Sequence, residues 1–104
     1  MCGIIGVINK NKDVKDSIYY GLMSLQHRGQ DNCGIITLFN SNIYEKKGKG
    51  LVLDVFNDNI LQKLKGNIGV GQTRYSTIGN LSNVNSQPLY LNSKQKIVMA
   101  HNGN

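Results

Sequence analysis

Cys2 stands directly after the initiator methionine, in Met1-Cys2-Gly3-Ile4-Ile5-Gly6, and that position has chemical meaning. Methionine is generally removed before small residues, so the mature chain would begin with a thiol and a free α-amino group on one residue. In general an α-amino group titrates near about 7.7–8.0 and a thiol near about 8.5, so a neutral amine can take up a thiol proton without help from histidine. A residue inside a chain cannot do this. On residue type alone, Cys2 also suits a small buried apolar position at the start of a strand.

On residue type alone, Arg74 reads as a surface charge and Asn102-Gly103 as a type I′ turn, to which that dipeptide is strongly suited. His27 and His101 are read as structural hydrogen-bonding positions, because a terminal amine makes an imidazole base unnecessary.

Short elements must bring these residues together. Cys2 to Ile8 alternates glycine with Ile and Val and reads as a buried strand. From Asp13 to about Gln26, Val14, Ile18, Leu22 and Leu25 recur at three- and four-residue steps, as one face of a helix requires, and Arg28-Gly29 would end it. Gly34 to Phe39 is strand-like, Asn40-Ser41-Asn42 is a turn, and Ile43 to Lys47 pairs back as a hairpin until Gly48 and Gly50 break the pattern. Leu51 to Phe56 fits either helix or strand. Asn57 to Lys65 suits a short helix opened by Asn57 or Asp58. Asn67 to Gln72 and Lys96 to Ala100 read as strands, separated by a long surface loop from Ser76 to Asn92 that contains Pro88. The sum is an α+β layered fold rather than regular βαβ alternation.

Taken together, Met1 to Gly6, Leu25-Gln26-His27-Arg28-Gly29-Gln30-Asp31, Gly71-Gln72-Thr73-Arg74-Tyr75-Ser76-Thr77 and His101-Asn102-Gly103-Asn104 resemble the glutaminase domain of class II glutamine amidotransferases. The four motifs come in the family's order and at its approximate spacing. Gln30-Asp31, Tyr19-Tyr20-Gly21-Leu22 and Gly50 to Phe56 resemble the branch of the family that makes phosphoribosylamine from phosphoribosyl pyrophosphate in purine synthesis. The alternatives are another class II branch, or an inactive fragment or non-catalytic basic binding module.

The resemblance implies an N-terminal-nucleophile fold of αββα layers and a specific division of labour. Cys2 would attack the side-chain amide of glutamine, Asn102 and Gly103 would form the oxyanion hole, and Arg74 would bind the substrate α-carboxylate. Tyr75, Ser76 and Thr77 would line the glutamine pocket, and Arg28 would support the N-terminus. Gln72 stands where many members have histidine, and Cys33 where they have small residues. The family's acidic residue for the substrate α-amino group has no counterpart here. Residues 1–104 are therefore expected to be the N-terminal part of a longer, homo-oligomeric protein, with the phosphoribosyltransferase domain and the Mg2+ that it implies lying elsewhere.

Composition narrows the remaining possibilities. The 39% hydrophobic content fits one globular unit. The formal charge of +6 rests on scattered lysines without interleaved aromatic residues, which speaks against a nucleic-acid partner. No apolar run approaches a membrane span or a signal peptide, so a cytoplasmic location with free thiols is expected. Two cysteines and two histidines far apart show no metal-ligand spacing. Gly66 to Gly71 has glycines but lacks the Lys-Ser/Thr ending of a phosphate loop.

Overall fold

The glycine-spaced apolar run at the start of the chain forms strand β1, Gly3–Ile8, in a computed structural model that describes residues 1–75 and 86–103. It is followed by α1 (Lys15–Ser24), a 3₁₀ turn (Gln26–Arg28), β2 (Asn32–Phe39), β3 (Asn42–Lys49), α2 (Val52–Val55), α3 (Asp58–Lys63) and β4 (Ile68–Arg74). A hairpin of β5 (Leu89–Asn92) and β6 (Lys96–Met99) completes the described residues.

The four longer strands form one antiparallel sheet in the order β1-β4-β2-β3, so the strand latest in sequence, β4, lies between the first two. Alternation decides which side chains meet the helices. Ile5 and Val7 of β1, Cys33 and Ile35 of β2, and the small residues Gly69 and Gly71 of β4 face one side. Val14, Ile18 and Leu22 of the helical stripe pack there, joined by Val52, Val55, Phe56, Leu61 and Leu64 from α2 and α3. Ile18 and Leu22 are wholly buried, each contributing roughly 1.5–3 kcal/mol relative to exposure. A Cβ on Gly71 would lie 2.6 Å from the Ile18 side chain, so the helix rests directly on the sheet backbone.

The opposite face carries Asn32, Gly34, Gln72 and Arg74 on two neighbouring strands. The segment before β5 covers part of it, since a Cβ on Gly34 would meet the Gln87 carbonyl. The molecule therefore has a helical layer, a four-stranded sheet and a two-stranded sheet.

Most expected elements are present, with four differences. Strand β1, expected to be buried, is an edge strand that packs Ile5 and Val7 on the helices and leaves Ile4 and Ile8 exposed. The helix expected from Asp13 to Gln26 ends at Ser24 and tightens into the 3₁₀ turn through Arg28. Strand β3 runs through Gly48, where Cys33 pairs with it; only Gly50, at φ +105°, ends the strand. Gly48 is small because Val55 of α2 packs against it at 3.1 Å from a would-be Cβ. The expected loop from Ser76 to Asn92 is shorter than read: Ser86, Gln87 and Pro88 are buried and Leu89–Asn92 is a strand, while residues 76–85 lie outside the described residues. Asn57 caps α3 as expected, its side-chain oxygen accepting from the Ile60 N–H at 2.9 Å.

Candidate active site

Strand pairing brings the first candidate residues together. Gly3 of β1 pairs with Thr73 of β4, so Cys2 and Arg74 are the chain neighbours of that pair. Arg74 in turn pairs with Asn32 of β2. Cys2 is buried at 4% exposure, whereas Met1 is 70% exposed, so the bond removed on maturation is reachable at the surface.

Asn102 reaches back to the nucleophile from beyond β6. The Cys2 N–H donates to Asn102 Oδ1 at 2.9 Å. An N–H can only donate, so the amide orientation of Asn102 is fixed: Oδ1 faces Cys2 and Nδ2 occupies the other corner. The Cys2 carbonyl accepts from Arg28 Nε at 2.8 Å, and the thiol points towards the Tyr75 carbonyl, 3.9 Å away. Asn102 and Arg28 thus hold the two main-chain polar groups of Cys2.

The 3₁₀ turn aims Arg28. Its neighbour Gln26 donates from Nε2 to the Gly29 carbonyl at 2.7 Å and accepts from the Val52 N–H at 2.8 Å, which ties the turn to α2. Gly29 is required by close approach, because a Cβ there would lie 2.5 Å from the Arg74 carbonyl carbon. The Arg74 carbonyl also accepts from the Asp31 N–H at 3.0 Å. Arg74 itself is 4% exposed.

A cleft of about 340 Å³, lined by Met1, His27, Arg28 and Tyr75, opens beside this cluster. It adjoins a second hollow of about 320 Å³ that includes Gly29, Gln30 and Asp31. A larger depression of about 440 Å³ lies against β3 and α3, lined by residues such as Tyr44, Lys46 and Lys63, and holds no nucleophile. The two clefts beside Cys2 share Arg28 and Tyr75, whose guanidinium and carbonyl respectively reach the carbonyl and thiol of Cys2.

The expected residues Cys2, Arg28, Arg74, Tyr75 and Asn102 are thus gathered at one end of the sheet, with Gly103 next to Asn102. Ser76 and Thr77 lie outside the described residues. Main-chain atoms of His101, rather than its imidazole, make its hydrogen bonds: its N–H donates to Gln87 Oε1 at 2.8 Å and its carbonyl accepts from Gln72 Nε2 at 2.7 Å. Sequence reasoning assigned no role to Gln87 or, beyond its place in a motif, to Gln26.

The second cysteine has a different character. Cys33 is wholly buried, and desolvation, helped by the negative charge of Asp54, pushes its thiol up to about 12. It is a protonated core residue at neutral pH. Both cysteines are free. No three His, Cys, Asp or Glu side chains gather to hold a metal among the described residues. No helix among them is long and apolar enough to cross a membrane.

Comparison with solved structures gives the class. Over 99% of its length the chain superposes, at a TM-score of 0.87 and 38% identity, on the glutamine phosphoribosylpyrophosphate amidotransferase from B. subtilis complexed with ADP and GMP. A structure described as the allosteric regulatory enzyme of purine biosynthesis matches over 93% of the chain at a TM-score of 0.83 and 36% identity. The fold is that of an amidotransferase N-terminal domain, an α+β fold of the N-terminal-nucleophile type.

No family model matches the chain. Its sequence relatives narrow the class: amidophosphoribosyltransferases from Escherichia coli (strain K12) and Pseudomonas aeruginosa are 49% and 46% identical, each over 100% of this chain. That of Schizosaccharomyces pombe is 44% identical, also over the whole chain. The chain is a homologue of the N-terminal glutaminase part of amidophosphoribosyltransferases. It spans 21% of the length of the two bacterial relatives and 20% of the yeast one.

Proposed function

We propose that residues 1–104 are the N-terminal glutaminase part of an amidophosphoribosyltransferase and carry out its first half-reaction, the release of ammonia from glutamine. After Met1 is removed, the α-amino group of Cys2 takes the thiol proton and the sulfur attacks the side-chain carbonyl carbon of glutamine. The resulting oxyanion accepts from Asn102 Nδ2 and the Gly103 N–H. When the tetrahedral adduct collapses, the proton held by the α-amino group goes to the leaving nitrogen, and ammonia departs. Water then hydrolyses the γ-glutamyl thioester to glutamate and restores the thiol.

Arg74 clamps the α-carboxylate of glutamine, Tyr75, Ser76 and Thr77 line its pocket, and Arg28 holds the Cys2 carbonyl. In the whole protein the ammonia would displace diphosphate from phosphoribosyl pyrophosphate, with Mg2+ held outside these residues. A cytoplasmic location and a homo-oligomeric whole protein belong to the same reading.

The observation that carries it is the 2.9 Å bond from the Cys2 nitrogen to Asn102 Oδ1, which joins the proposed base to the proposed oxyanion donor. The test is the intact mass of the protein before and after treatment with an electrophilic glutamine analogue, followed by peptide mapping. Saturable labelling confined to Cys2, blocked by glutamine and dependent on Met1 removal, is expected. Equal labelling of Cys2 and Cys33, or labelling indifferent to glutamine, would overturn the proposal.

A further inference from the structure

We infer that Gln72 and Gln87 are positioning residues for the oxyanion hole, acting through the main chain of His101. The inference rests on the glutaminase reading above and concerns how Asn102 is held.

His101 precedes Asn102 and bends away from the end of β6, with no regular strand pairing of its own. Both of its main-chain polar groups are instead taken by side chains. Gln72 Nε2 donates to its carbonyl at 2.7 Å, and Gln87 Oε1 accepts from its N–H at 2.8 Å. The two glutamines come from different segments: Gln72 from the middle of β4, Gln87 from the stretch leading into β5. Both are buried, at 0% and 3% exposure, so little water competes for their bonds. His101 is exposed, and so is Asn102. Two fixed side chains therefore hold an otherwise exposed segment by its backbone.

The bond from Cys2 to Asn102 shows what the clamp accomplishes. The carbonyl of His101 belongs to the peptide unit that supplies the Asn102 nitrogen, so fixing that carbonyl restricts the plane from which the Asn102 side chain departs. Displacement of a positioned group by about 1 Å can cost on the order of a hundredfold in rate. Gln72 also carries an unusual feature. Among the described residues its Oε1 is buried with no hydrogen-bond partner, although its Nε2 is well used.

The experiment uses the full-length protein with Met1 removed and compares Gln72→Leu, Gln87→Leu, Gln72→His and Gln87→Glu with the unaltered protein. Glutaminase kcat and KM, the rate of Cys2 acylation by the electrophilic glutamine analogue, and Tm are measured for each. Both leucine variants are expected to lose roughly ten- to a hundredfold in kcat and in acylation rate, with KM changed less than threefold. Tm reports whether each variant is folded.

Gln72→His, which restores a ring N–H donor, and Gln87→Glu, which keeps an oxygen acceptor, are expected to recover most of the lost rate. Should one leucine variant fail to fold, the other carries the test, since the two share only His101. A full acylation rate in either folded leucine variant would overturn the clamp while leaving the glutaminase reading intact. If the unaltered protein shows no glutamine-protected acylation of Cys2, the glutaminase reading falls and the clamp's catalytic role falls with it.

Discussion

The main-chain nitrogen of Cys2 and the side-chain oxygen of Asn102 are 2.9 Å apart, although 100 residues separate them in sequence. One amide thus touches the atom proposed as base and turns its donor corner elsewhere. Asn102→Asp would keep an oxygen towards Cys2 while deleting the Nδ2 donor. The expected result is a fall in glutaminase kcat of about 10²–10³, with a much smaller change in KM. Asn102→Ala loses both contacts and should fall at least as far. Steady-state kinetics on the two variants checks this, and a loss below tenfold in both would remove Asn102 from the oxyanion hole.

With Met1 attached, the Cys2 nitrogen is an amide and has no basic lone pair to receive the thiol proton. Met1 also lines the cleft of about 340 Å³ beside Arg28 and Tyr75. Any N-terminal extension should therefore block activity twice, by removing the base and by occupying space. A protein carrying a protease-cleavable leader immediately before Cys2 is expected to be inactive until cleavage, then to gain glutaminase activity and analogue labelling together. Equal activity before and after cleavage would show that no free terminus is used.

Much of the fold was legible in the sequence because its elements obey local rules. The stripe of Val14, Ile18 and Leu22 marks α1, Asn57 caps α3, and the alternation from Gly3 to Ile8 marks β1. For the candidate site, the residues singled out in the sequence, Cys2, Arg28 and Asn102, are joined by hydrogen bonds in the structure, and their proposed roles rest on the family resemblance. What could not be read are relations set by distant pairing. Gly48 looks like a strand breaker, yet β2 continues the ladder across it and α2 needs its small size. Gln72 and Gln87 look like ordinary polar residues until the sheet and the β5–β6 hairpin bring them to opposite sides of His101. Neither periodicity nor composition encodes such contacts.

Arg74 sits at the end of β4, nearly sealed from solvent, with Gly29 against its main chain. Its expected partner, the substrate α-carboxylate, would be bound by two parallel hydrogen bonds from a rigid fork, which lysine cannot reproduce. Arg74→Lys retains the charge and loses the geometry. KM for glutamine is expected to rise by about one to two orders of magnitude, in line with the roughly 1.5–3 kcal/mol of a hydrogen bond to a charged group. The change in kcat should be smaller. Glutamine titrations of the variant measure this directly, and an unchanged KM would assign the carboxylate to another group.

The buried thiol of Cys33 makes folding stability depend on alkaline pH. Burial, with Asp54 nearby, raises it from 9.0 to about 12 in the folded chain. The folded state therefore keeps its proton where the unfolded chain gives it up. Unfolding releases a proton between roughly pH 9 and pH 12, so the stabilising contribution is complete below pH 9 and is lost as pH rises through that window. The slope contributed by one such group cannot exceed about 1.4 kcal/mol per pH unit. Cys33→Ala removes it while leaving the other titrating groups, so the difference between the two proteins isolates the effect. Urea unfolding at pH 8 and pH 10 is expected to show unaltered protein losing more stability over that interval than Cys33→Ala. Parallel losses in the two proteins would mean that Cys33 titrates alike in both states, and that its burial does not hold its proton.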